Sequence, residues 1–225
     1  MKETADFELA AALVSLLGEP VPHDPGQDAA AAALRERLPD DRSALLKAAE
    51  LCGTRKTPGQ LYLCTKIYSW LGRRYDAKTV KYAEAYLSTT GWGELPRGMV
   101  QERGVRIDLA ARNRAGILAD LGGAYAGQGD YEKACAAYEK AYELEPYRIG
   151  YAVEFSNAML LFGRGEEALQ FLLQQKRSPY CHTVKYRGVT GGFCYDSSFR
   201  DTLDIQIALL EKRLKNRKEK ADHPL

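Results

Sequence analysis

Several things are scarce in this chain, and each absence narrows the field. Its 225 residues carry 32 lysines and arginines against 30 aspartates and glutamates, a formal charge of +2. A field so near neutral gives no hint of nucleic acid or of an acidic surface as partner. No window approaches the roughly 20 apolar residues that a membrane-spanning helix needs, so no membrane partner is expected. The opening Met1-Lys2-Glu3-Thr4-Ala5-Asp6-Phe7 carries acids where a secretory signal is basic, and the apolar run after it is alanine-rich and amphipathic. There are five cysteines, an odd count, and most of them fall in helical patterns. Reduced thiols in a cytoplasmic compartment are the expectation.

Catalytic constellations are scarce too. Cys181 and His182 near Cys194 make a metal-like cluster, but adjacent residues rarely ligate one zinc together, and no fourth ligand stands out. Spacing does not single out a Cys–His nucleophilic pair either. Gly188-Val-Thr-Gly-Gly lacks the lysine and following hydroxyl of a phosphate loop, and reads better as a hairpin turn. Nothing sets an acid, a base and an oxyanion site at readable spacing. The expectation is no catalytic residue, no metal and no cofactor. A minority reading keeps an enzyme open, with a site built from Tyr186, Cys194, His182 and the 91–107 segment.

The pattern that is present lies at 115–148. Leu118, Leu121 and Tyr125 stand three to four apart and make one apolar stripe. Gly129 ends that helix, and Asp130 is a good N-cap for the next. Gly122 and Ala134 are small where two helices would cross closely, so they are expected to touch. Tyr138 and Ala141 repeat the helical spacing, and Pro146 stops it. This spacing resembles the 34-residue tetratricopeptide repeat, a helix-turn-helix unit.

A lone repeat cannot bury its own face, so neighbours are expected. In 149–182, Phe155, Ser156, Met159, Gly163, Ala168 and Leu172 keep register with the first repeat, with Pro179 one place early. In 58–91, Leu61, Cys64, Thr65, Tyr68 and Gly72 match the first helix. With one extra residue in the turn, Tyr82 and Ala85 match the second, and Lys78 falls where a small residue belongs. Thr57-Pro58-Gly59-Gln60 supplies an N-cap, a proline at the first helical position and a reciprocal capping residue.

The remaining segments divide as 1–57, an N-terminal helical cap; 92–114, loop and helix extension; and 183–225, a hairpin or loop and a last helix. A first helix is expected at about 4–17, a loop at 19–27, a helix capped by Asp28, and another capped by Asp40 or Asp41 and closed by Gly53. Residues 91–107 read as a long loop, with Trp92 either a groove-edge contact or, the better reading, a plug beneath the loop. Asp108 caps a helix running into Ala115. Val184 and Tyr186 face Phe193 and Tyr195 across Gly191-Gly192, the pattern of a short β-hairpin. The last helix puts Leu203, Ile207, Leu210 and Leu214 on one stripe and ends in a solvated charged run.

The fold class read from this is all-α: a right-handed stack of helical hairpins in one continuous domain. The resemblance implies that first helices line a concave groove holding an extended peptide or a helix of a partner. By the family pattern the inward positions are Tyr62, Lys66 and Trp70; Gly116, Ala119, Gly123 and Ala126; and Val153, Asn157 and Leu160. The carboxylate-clamping form of the groove is not expected, since only Lys66 and Asn157 could serve in it. The function implied is non-catalytic protein or peptide binding, as an adaptor or assembly factor. Alternatives are a sensor for a small peptide or ligand, and a groove filled by the chain's own last helix or by 91–107. A homo-oligomer is compatible with all of these.

Overall fold

The computed structural model describes residues 2–17, 25–53, 57–89, 99–102, 105–178, 180, 185–186, 189–190 and 199–222. It divides into two compact units. One comprises Met1–Arg97 with Gly123–Gln128, the other Gly98–Gly122 with Gly129–Leu225. Among the described residues the architecture is a succession of helical hairpins, as the sequence reading holds.

The first unit contains α1 (Lys2–Leu16), α2 (Pro25–Glu36), α3 (Asp41–Cys52), α4 (Pro58–Leu71) and α5 (Asp76–Ser88). α1 packs against both α2 and α3, α3 against α4, and α4 against α5. Ala10 to Val14 are all buried, which suits a helix enclosed by neighbours on several sides. α2 starts at Pro25, three residues before the expected Asp28 cap. Proline at the first helical position has no N–H to leave unsatisfied, so it can open the helix. Asp28 instead lies inside the first turn, where a carboxylate meets the positive helix end. Asp40 caps α3 by accepting from the Ser43 amide at 2.7 Å. Thr57 and Gln60 form the expected reciprocal capping box on α4.

The second unit opens with β1 (Met99–Glu102) and β2 (Val105–Asp108), paired antiparallel with Val100 opposite Ile107. Part of the expected 91–107 loop is therefore a β-hairpin. Val100, Val105 and Ile107 are β-branched, and the pairing leaves a two-residue connection at 103–104. Trp92 lies outside the described residues. α6 (Leu109–Gln128) follows, its Ala110 amide donating to Asp108 at 2.9 Å, as expected of a cap.

Next come α7 (Tyr131–Leu144), α8 (Ile149–Leu161), α9 (Gly165–Gln175), β3 (Lys185–Tyr186), β4 (Val189–Thr190) and α10 (Phe199–Asp222). α7 packs on α8, α8 on α9, and α10 on both α9 and α8. Gly129 and Gly163 take φ of 82° and 91°, left-handed values that end a helix at little steric expense only for glycine. The expected hairpin near 183–195 is present in another register. Tyr186 pairs with Val189 and Lys185 with Thr190, while Val184, Gly191, Gly192, Phe193 and Tyr195 of the expected pairing lie outside the described residues. No helix among the described residues is long and apolar enough to cross a membrane.

Candidate partner-binding surface

Each helical hairpin seats its first helix differently. In α6–α7, Gly122 lies under the Tyr138 ring. A Cβ built on Gly122 would stand 2.9 Å from two ring carbons, closer than real side chains come. The contact nearest Gly122 is thus Tyr138 rather than the expected Ala134, which is fully buried elsewhere in the hairpin. Burial pushes the Tyr138 hydroxyl pKa up, reinforced by Glu154 and Asp120. Asp130 caps α7, accepting from the Lys133 amide at 3.3 Å.

The matching position of α8 is Ser156, buried, its hydroxyl donating to the Val153 carbonyl at 2.8 Å. In α4 it is Thr65, also buried, donating to the Leu61 carbonyl at 2.8 Å. Each hydroxyl uses its own helix's backbone and so enters an apolar seam without an orphan polar atom.

The second helix of the α4–α5 hairpin is shifted by one more residue than the sequence reading has it. Gly72, at φ 82°, leads into a 3-10 turn, Arg73–Tyr75, before α5 begins. The seam is then Thr79, Ala83 and Tyr86, all buried, in place of Lys78, Tyr82 and Ala85. Lys78 is exposed, with its ammonium over the Tyr68 and Tyr75 rings at 4.8 and 5.6 Å. Tyr68 stacks on Tyr75 and Tyr82. The extra turn thus keeps small residues, Thr79 and Ala83, in the seam and turns Lys78 and Tyr82 to a tyrosine-lined face, which the sequence signals only by a run of evenly spaced tyrosines.

A second cluster was not visible in the sequence. Glu145, at the end of α7, is 0% exposed. It accepts from the Tyr147 hydroxyl at 2.5 Å and pairs with Arg112 at 3.4 Å and Arg148 at 3.7 Å. A buried carboxylate needs such donors to be tolerated. Here it ties α6 and α7 to the turn that leads into α8.

With this geometry in place, a tetratricopeptide repeat family model matches residues 115–148. Residues 115–148 are a tetratricopeptide repeat. A search of curated proteins returns no match. The matched repeat is α6–α7 from Ala115 onward, including the glycine turn and the Tyr138 seam.

The expected groove positions fall as follows. In the first unit, Tyr62, Lys66 and Trp70 lie one turn apart on α4, each half-buried, while Gly123 is exposed and Ala126 half-buried. The Tyr62 ring leans on Tyr86 with centroids 5.9 Å apart, and Trp70 packs on the core, so both also hold the hairpin together. In the second unit, Gly116, Ala119, Val153 and Asn157 are half-buried. Leu160 is not a groove residue: it is 3% exposed. Both Leu160 and Leu214 of α10 come close to Gly165, so the last helix covers this end of α8. Its neighbour Leu161 is exposed instead.

Among the described residues no cluster of three or more His, Cys, Asp or Glu side chains could hold a metal ion. Cys181, His182 and Cys194 lie outside them, as does the Tyr186 side chain. Cys52, Cys64 and Cys135 are free and buried. Hydrogen bonding to Cys64, with burial, raises the Cys52 thiol well above its ordinary value and makes it a poor nucleophile.

Proposed function

We propose that this protein is a non-catalytic adaptor or assembly factor that holds a peptide or protein partner against the first-helix faces of its hairpins. The repeat itself is a protein-interaction module at the general level. What carries the finer reading is the half-buried state of the first-helix positions. Ala119, Val153 and Asn157 in one unit, and Lys66 and Ala126 in the other, are neither sealed into a seam nor fully solvated. Small side chains at such positions let a partner's backbone approach closely, and Lys66 and Asn157 add polar groups to fix its register. The free thiols of Cys52, Cys64 and Cys135 support work in a reducing, cytoplasmic compartment.

The test is affinity capture from native lysate with wild type, Ala119→Arg and Asn157→Glu, each checked for unchanged thermal unfolding. Loss of a reproducible partner with the fold intact supports the adaptor reading. Retention of every partner by both folded variants contradicts it.

A further inference from the structure

The last helix presents a second apolar stripe that no part of the described chain covers. Phe199, Leu203, Ile207 and Leu210 turn inward and are buried. Ile205 and Leu209, one turn apart, are 60% and 43% exposed. At 100° per residue, Asp201, Ile205, Ala208, Leu209 and Lys212 share one face, and all five are exposed. Two large aliphatic residues exposed one turn apart on an otherwise polar helix face form a patch rather than scattered single exposures.

The charges flanking the stripe suggest what covers it. α10 is acidic on this face at its start, with Asp201, and basic beyond the apolar pair, with Lys212 and Arg213. Asp204, beside it, is already engaged by Lys176 at 2.7 Å. Among the described residues neither Asp201 nor Lys212 makes an ion pair within the chain. Suppose a second copy is laid antiparallel about a two-fold axis between residues 206 and 207. Position 201 then meets 212, and 205 meets 208. Asp201 faces Lys212 of the second copy, and Ile205 nests over the small Ala208. Antiparallel pairing also opposes the two helix dipoles favourably. Every contact occurs twice, as an isologous interface requires.

We infer that the outer face of α10 is a self-association surface: two copies of this chain pair antiparallel through Ile205 and Leu209, with Asp201 and Lys212 as reciprocal ion pairs. The stripe is short, about three turns, so the interface is at the small end for specific complexes and the dimer is weak and reversible. Its ion pairs lie at the rim, so added salt loosens it.

Sedimentation velocity of the full chain over a range of concentrations reads this directly. Wild type is expected to show a reversible monomer–dimer equilibrium that shifts toward monomer in high salt. Ile205→Asp should abolish it without changing thermal unfolding, because the residue is exposed. Asp201→Lys and Lys212→Asp should each weaken the dimer about tenfold or more, since each puts like charges together twice. An equimolar mixture of those two variants should recover it, because every 201–212 pair in the mixed dimer is then of opposite charge. Weakening by each single variant together with recovery in the mixture is peculiar to the antiparallel register, because a parallel wild-type pair would already oppose Asp201 to Asp201 and Lys212 to Lys212. A chain that stays monomeric at every concentration overturns the proposal. So does a dimer indifferent to Ile205→Asp, or a mixture no stronger than its components.

Discussion

The matched repeat, α6–α7, and the upstream hairpin, α4–α5, reach the same architecture with opposite allocations of volume. In the repeat, the first helix gives a glycine, Gly122, and the second gives a large ring, Tyr138. In the upstream hairpin the first helix gives Thr65, and the place three residues into α5 and one turn on is taken by Ala83. The α8–α9 hairpin sits between these extremes, with Ser156 and Leu172. The family signature describes one way of filling the space between two helices. Degenerate hairpins keep the space and change which side fills it, as close-packed interiors allow when total volume is kept.

The largest expected effect breaks the repeat's own version of that exchange. Gly122→Val puts atoms where the Tyr138 ring already lies, and should destabilise the second unit by about 1–3 kcal/mol in denaturant unfolding, at the upper end of that range. Ala134→Leu, at another fully buried position of the same hairpin, should fall in the same range. Gly122→Ala alone should lose less, because alanine favours the helix by about 0.8–1.0 kcal/mol over glycine. Combining Gly122→Ala with Tyr138→Leu should lose less than the two single changes added. Strict additivity would mean the two do not share one packing site.

Next in size is the Glu145 cluster of the second unit. Glu145→Ala strips a hydrogen-bond acceptor from Tyr147 and a partner from Arg112 and Arg148. Both arginines reach solvent, so the loss should be about 1–3 kcal/mol rather than the full price of a stranded buried charge.

The shifted seam of α5 gives a sharper contrast between neighbours. Thr79→Leu should overpack the hairpin and cost about 1–3 kcal/mol. Lys78→Leu, one residue away, should cost no more than about 1 kcal/mol, the worth of its contact with two tyrosine rings. A reversal of that order in thermal melts would restore the register read from the sequence.

The smallest effect concerns pH. Hydrogen bonds from the Lys133 side chain and then its amide hold the Asp130 carboxyl below its ordinary value. Because the folded pKa is depressed, this contribution is present above the unfolded aspartate value and is lost as pH falls through the folded one. Asp130→Asn keeps a capping oxygen and should flatten that part of the acid limb. An unchanged acid limb would show that the cap does not depend on charge.

The sequence made the helices legible where local chemistry decides them. Thr57 with Gln60, Asp40, Asp108, Asp130 and the glycines at 72, 129 and 163 all act within a few residues of themselves. The α5 register was misread because the 3-10 turn at Arg73–Tyr75 carries no proline or glycine of its own, so only packing reveals the added residue. Leu160 was misassigned for a longer-range reason. An aliphatic residue on a first-helix face looks the same whether a partner or the chain's own α10 covers it. The tertiary contacts of α10, such as the Arg217 guanidinium donating to the Leu160 carbonyl 57 residues away, leave no periodic trace. The Glu145 cluster draws on Arg112, 33 residues away, and was invisible for the same cause.

Site-specific photocrosslinking tests the central claim, that partners bind first-helix faces. A photoreactive residue at Ala119 or Asn157 is compared with one at Lys140, an exposed position on the second helix α7. Crosslinks to a captured partner from positions 119 and 157, with none from 140, are the predicted result. Crosslinks from 140 alone would contradict the account.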